Sequence, residues 1–141
     1  MDRVTDHHAH HASNMLSKYE LLEKLATGGM AEVYLARERG LAGMERLVVI
    51  KRILPHLAEH PDFVEMFLRE GRIIARLNHP NIVQIHDLGV TQDEQYFLAL
   101  EYIPGVTLRE FQVLANKQGK ELSEEVILGI GMQVASGLAA G

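Results

Sequence analysis

The sequence predicts an α+β fold in which three strands, one helix and two more strands are followed by two helices. Three observations predict it. The run Leu47 to Ile53 alternates as a strand, with Val49, Lys51 and Ile53 on one side. From Phe63 to Leu77 the apolar residues recur at helical spacing, placing Phe63, Met66, Phe67, Ile73, Ile74 and Leu77 on one stripe. The remaining strand-like runs are short and bounded by glycine, proline or polar turns.

Each element follows in order. Residues 1–17 are polar and aperiodic, with His7, His8, His10 and His11 clustered, and read as a flexible tail. Tyr19 to Leu25 and Glu32 to Arg37 read as a hairpin whose tip, Ala26 to Ala31, holds the adjacent Gly28 and Gly29. Gly40 to Met44 leads into the Lys51 strand, and Pro55 and Pro61 punctuate the way to the helix. Asn78-His79-Pro80-Asn81 stops that helix, because proline disfavours helical geometry in the residue before it. Ile82 to Gly89 and Gln95 to Tyr102 are strands around the polar turn Thr91 to Glu94. After the break at Pro104-Gly105 come a short helix from about Leu108 to Asn116 and a longer one after Ser123. Ser123 is an expected N-cap, with Glu124 and Glu125 suited to the helix dipole. The stripe Ile127, Ile130, Val134 and Leu138 has little left to pack against.

Composition narrows the function classes. With 141 residues, 47% of them hydrophobic, the chain can hold one modest domain or a lobe with appendages. A formal net charge of −5 with scattered basic residues argues against nucleic acid or an anionic membrane surface as a partner. There is no cysteine, hence no disulfide framework and no thiolate zinc site, which fits a cytoplasmic protein. No apolar run approaches the roughly 20 residues of a membrane span.

Two charges interrupt apolar faces: Lys51 in its strand and Glu70 in the helical stripe. A lone buried charge costs several kcal/mol, so one of each on neighbouring faces predicts a pair or a charged ligand. A glycine-containing hairpin ahead of a strand lysine is what phosphoryl chemistry needs: backbone amides near phosphates and a fixed cation on their oxygens. The alternative for each piece alone is a tight turn and a lysine that reaches water. Their order and spacing favour the functional reading. Other motifs do not hold up. Gly129-x-Gly131 lies in a helix without a preceding strand, Gly119-Lys120 lacks the rest of a phosphate loop, and the histidines share no metal-ligand spacing.

From Tyr19 onward the chain resembles the eukaryotic-like bacterial serine/threonine protein kinases. Leu25 to Val33 resembles their glycine-rich loop, Val48-Val49-Ile50-Lys51 their V-A-I-K strand, and Phe67-Leu68-Arg69-Glu70 the glutamate-bearing part of the regulatory helix. His79-Pro80-Asn81-Ile82-Val83 resembles the turn that follows, Leu100-Glu101-Tyr102-Ile103 the gatekeeper and hinge, and Gly105-Val106-Thr107-Leu108 the entry to the next helix.

The resemblance implies a kinase small lobe at 18–104, a five-stranded antiparallel sheet with one regulatory helix, then at 105–141 two helices of an incomplete large lobe. It implies ATP and Mg as cofactors and a protein substrate or the missing large lobe as partner. Lys51 would contact the α- and β-phosphates and pair with Glu70, while Leu25, Val33 and Val49 would roof adenine. The backbone of Glu101 and Ile103 would meet the adenine edge, with Leu100 behind it, and Ala26, Thr27, Gly28, Gly29, Met30 and Ala31 would cover the phosphates. Against the family pattern, Ala26 and Ala31 replace the first and third loop glycines, and Val49 replaces an alanine. The H-R-D and D-F-G motifs are absent, so no catalytic base and no Mg ligands are expected within these residues. Asp87 sits in a strand and is no substitute. The expected function is the ATP-binding portion of a protein serine/threonine kinase truncated before its catalytic loop. The alternative is an inactive kinase-like binding or regulatory module, or a gene remnant.

Overall fold

The computed structural model describes Met15, Leu16 and residues 18–141. The histidine cluster expected to form a tail lies outside the described residues. The sheet strands are β1 (Met15–Leu16), β2 (Tyr19–Thr27), β3 (Ala31–Arg39), β4 (Glu45–Ile53), β5 (Ile85–Val90) and β6 (Tyr96–Glu101). The helices are α1 (Pro61–Arg76), α2 (Leu108–Lys117) and α3 (Glu124–Ala139). The five expected strands are all present and antiparallel, in the order β1-β2-β3-β4-β6-β5. The extra member is the two-residue β1, which pairs Met15 with Glu20 and Leu16 with Tyr19, so the sheet begins inside the segment read from sequence as tail.

Register assigns the two faces of the sheet. Ala26, Val33, Lys51 and Leu98 lie in one cross-strand row, and Leu35, Val49 and Leu100 in the next, so these residues share a face. Lys51 is thereby set among apolar neighbours. On the opposite face Tyr19, Leu21, Ala36, Val48, Ile50, Phe97 and Ala99 form a buried cluster, with Tyr19 edge-on to Phe97. The Tyr19 hydroxyl donates to Asp87 at 3.2 Å, which gives that strand aspartate a structural partner. Burial and the Asp87 charge push the Tyr19 phenol upward.

Helix α1 covers the Lys51 face. Proline fits its first turn, where a missing N–H costs nothing, and Asp62 there suits the dipole. Phe63, Val64, Phe67 and Leu68 pack with Ile53, Leu98 and Leu100. The expected stripe therefore needs correction: Met66 and Ile73 are half exposed, and the contact face turns instead through Val64, Leu68 and Gly71. Gly71 is the reason the helix sits so close. A Cβ there would stand 2.8 Å from Leu98 Cδ2. At the end of β5 the same logic applies to Gly89, whose absent Cβ leaves room for the Phe97 ring.

Beyond β6, Thr107 and Glu110 form a reciprocal capping box on α2, and the Ser123 hydroxyl accepts from Val126 N–H as the expected cap of α3. The α3 stripe is open, with Ile127, Val134 and Leu138 all more than half exposed. None of the described helices is long and apolar enough to cross a membrane.

Candidate functional site

Lys51 and Glu70 meet. Lys51 Nζ donates to Glu70 Oε1 at 2.7 Å, joining the C-terminal part of β4 to the interior of α1. The pair is not buried as the sequence suggested: the Lys51 side chain is 26% exposed and that of Glu70 43%. An ion pair this wet contributes little to folding, which leaves the ammonium's other two protons open to an anion from solvent.

The glycine hairpin ends beside the same row, since Ala26 and Val33, in register with Lys51, stand just before and after its turn. Its turn is tighter than expected, because β2 runs on to Thr27 and β3 starts at Ala31. Gly28 N–H closes it on the Ala31 carbonyl at 2.8 Å, and Leu54 N–H, just past β4, donates to the Met30 carbonyl at 2.9 Å. Thr27, Gly28 and Gly29 are exposed, and a Cβ placed at Gly29 would meet nothing within 4 Å. Backbone can therefore be approached closely there. Ala26 and Ala31, which stand where the family pattern has glycine, lie in the strands, and neither adopts a positive φ. No conformational cost attaches to either alanine in this arrangement.

The other expected residues divide by position. Val33 and Val49 share the Lys51 face and are half-buried, as is Leu100, opposite Val49. Leu25 falls at an irregularity in the β2–β3 register between Lys24 and Ala26 and is 46% exposed. Glu101 closes β6; its N–H donates to the Gln84 carbonyl at 2.9 Å and its carboxylate accepts from Gln84 N–H at 3.2 Å. Ile103 is exposed beyond the strand. A cavity of about 360 Å³ touches this set only at Glu101 and Ile103; the rest of its lining is Pro80 to Val83 with Ile130, Gln133 and Val134 of α3. It is a separate space from the Lys51–Glu70 contact.

Sequence reasoning missed two groups of residues. The first brackets the glycine turn: Glu32 accepts from Tyr34 at 2.9 Å, Arg52 at 3.1 Å and Lys24 at 3.2 Å, with the Arg52 guanidinium 4.9 Å above the Tyr34 ring. Burial would raise the Glu32 carboxyl, but these three donors outweigh it and hold it below the usual range. The available signal was alternation, which puts Glu32 and Tyr34 on one face of β3. The second group fastens the turn after α1 to α3: Asn81 Nδ2 donates to the Gln133 carbonyl at 2.9 Å, and His79 Nε2 lies 3.1 Å from Ser136 Oγ. Nothing local in the sequence announces contacts more than fifty residues apart.

The residues fit the phosphate end of a nucleotide: a cation held by a carboxylate, beside an accessible glycine turn and an apolar half-buried face. They do not form a metal site, since among the described residues no three His, Asp or Glu side chains gather where an ion could be held.

Comparison with known proteins agrees with this fold. Residues 19–140 match the family model described as protein tyrosine and serine/threonine kinase. The chain is 47% identical over 120 residues to the tyrosine-protein kinase MasK of Myxococcus xanthus, covering 85% of this chain and 18% of that protein. It is 36% identical over 118 residues to the serine/threonine-protein kinase PrkC of Bacillus subtilis, covering 80% and 17%. Among solved structures, the PknI kinase domain of Mycobacterium tuberculosis superposes with a TM-score of 0.65 at 30% identity, over 88% of this chain and 48% of that one. The chain thus spans under a fifth of the curated relatives and about half of the solved domain.

Proposed function

The chain belongs to the protein tyrosine and serine/threonine kinase family, and we propose that it supplies the ATP-binding portion of a protein serine/threonine kinase. The observation that carries the proposal is the 2.7 Å contact between Lys51 and Glu70, with Lys51 in register with the residues that flank the glycine turn. When bound, ATP supplies the phosphoryl group that a complete family member passes to a protein hydroxyl. Lys51 holds the α- and β-phosphate oxygens, and Glu70 fixes the ammonium so that it does not fold back to water. The turn from Ala26 to Ala31, through Thr27, Gly28, Gly29 and Met30, lies over the phosphates with its amides. Leu25, Val33 and Val49 exclude water above the base, with Leu100 limiting its depth. Because the Glu101 N–H is taken by Gln84, a base donor there meets the Glu101 carbonyl, and Ile103 offers its own backbone next along.

No residue of this chain is assigned as catalytic base or Mg ligand. We place residues 18–104 as the nucleotide-binding lobe and 105–141 as the start of the second lobe, and assign the activity to the cytoplasm, where ATP and protein substrates are available. A tyrosine acceptor is the second reading, supported by the 47% identity to the tyrosine-protein kinase MasK. An inactive binding module is separated from both by phosphoryl transfer.

Calorimetric titration with Mg-ATP tests the site. A charge-assisted contact of about 1.5–3 kcal/mol predicts a loss of roughly ten- to a hundredfold in affinity for Lys51→Ala. Absence of Mg-ATP binding, or equal binding by wild type and Lys51→Ala, would refute the site.

A further inference from the structure

His79 makes two hydrogen bonds that together dictate its proton. The backbone N–H of Asn81 points to Nδ1 at 3.0 Å, and an N–H can only donate. Nδ1 must therefore be bare, and in the neutral ring the proton sits on Nε2, which donates to Ser136 Oγ at 3.1 Å. One imidazole thus joins the turn after α1 to itself and to α3. Asn81 adds a parallel tie to the Gln133 carbonyl, and Gly137 comes close enough that a Cβ there would stand 3.4 Å from the Asn81 carbonyl oxygen.

We infer that His79 is a proton-operated latch on the turn that follows the Glu70 helix: protonation of Nδ1 breaks the bond to Asn81 N–H while leaving the one to Ser136 of α3. The imidazolium cannot accept, and its new N–H faces another N–H across the same 3.0 Å. The turn loosens at Asn81, whose side chain is the second fastening on α3, so one proton weakens the Asn81 tie and leaves the His79–Ser136 tie in place. The groups bonded to the His79 ring are both neutral: the Ser136 hydroxyl of α3 and the Asn81 amide of the turn. The charged residues next along the flanking elements are Arg76, ending α1, Asp87 in β5, engaged by the Tyr19 hydroxyl, and Glu125 in the first turn of α3. None of the hydrogen bonds or ion pairs among the described residues joins a charged side chain to His79. The latch does not depend on a nucleotide, so it stands or falls apart from the proposed function.

Ring ¹⁵N shifts of His79 and amide exchange at Asn81, followed in the full chain from pH 8 to 5.5, test it. At pH 8 the ring should be neutral with its proton on Nε2. As it titrates, the protection of the Asn81 amide, corrected for the intrinsic pH dependence of exchange, should fall about five- to tenfold, the worth of one ordinary hydrogen bond. In His79→Asn, whose side-chain carbonyl can still accept from Asn81 but cannot titrate, protection should be flat; in Ser136→Ala the fall should persist. A proton on Nδ1 at pH 8, a ring that does not titrate over this range, or unchanged Asn81 protection through the titration would each overturn the latch, and the first and last need no variant to fold.

Discussion

Replacing Gly71 by alanine asks whether α1 is seated on the sheet as closely as the Lys51–Glu70 contact requires. A helix interior normally gains about 1 kcal/mol from this change. Here the new Cβ would stand 2.8 Å from Leu98 Cδ2, about 1 Å inside a comfortable carbon contact, and Leu98 is only 1% exposed and hemmed in by Ile53 and Phe67. Overpacking of this kind costs about 1–3 kcal/mol, so the sum is a loss of about 0–2 kcal/mol instead of a gain. The structure relaxes either by turning Leu98 or by moving the helix outward. The second route lengthens the 2.7 Å Lys51–Glu70 bond by a comparable ångström and lowers nucleotide affinity. Gly131→Ala is the matched control: it is the same substitution in a helix, but its Cβ would meet nothing within 4 Å. Urea unfolding should show the control stabilised by about 1 kcal/mol and Gly71→Ala at or below wild type. If both variants gain equally and bind Mg-ATP as wild type does, α1 is not held against Leu98 and the geometric argument fails.

Two further outcomes follow from the surface and the sheet end. The Glu38 carboxyl, hydrogen-bonded by Arg46 and ion-paired with Lys18 at 3.0 Å, is held below its usual range. Its stabilising effect is therefore full above the unfolded value of about 4.3 and is lost as pH falls through the lower folded value. Glu38→Gln should cost about 1–2 kcal/mol at pH 7, a gap that narrows below about pH 4 in pH-dependent unfolding; a gap that stays constant into acid would contradict the pairing. With Leu128, Met132 and Leu138 each more than 60% exposed on α3, the chain should bind an apolar dye, and Leu138→Glu should reduce the signal while leaving the sheet intact by circular dichroism. A chain that binds no dye would show that this face is covered in solution.

The sequence carried the parts of this fold that depend on period and punctuation. Lys51 and Glu70 were legible because each breaks an apolar pattern, and the loop glycines because they sit between two alternating runs. What stayed hidden depends on how elements lie against one another. The register shifts in β2, between Leu21 and Glu23 and between Lys24 and Ala26, turn side chains off strict alternation, which is why Leu22 and Leu25 are exposed. Helical periodicity gave Met66 and Ile73 to the core, but the contact line is set by the one position without a side chain, Gly71. The depth of the ion pair was misjudged for a related reason: hydrophobic neighbours in sequence do not say whether a sheet edge or a groove opens beside them. The His79 and Asn81 contacts could not have been found from any window of sequence.

The strand order has a consequence for how the chain assembles. Between β3 and β6, β4 takes one neighbour from the hairpin before it and the other from beyond the helix, where Val48 faces Glu101, fifty-three positions away (101 − 48). The β2–β3–β4 meander can close early on short loops, but the Leu98 seat for α1 arrives only with β6. A nascent chain ending before Tyr96 would hold the glycine turn and Lys51 in register with no floor for the Glu70 helix. The lysine and its carboxylate are thereby joined through a long closure of the sheet, which places their contact among the non-local ones of this fold.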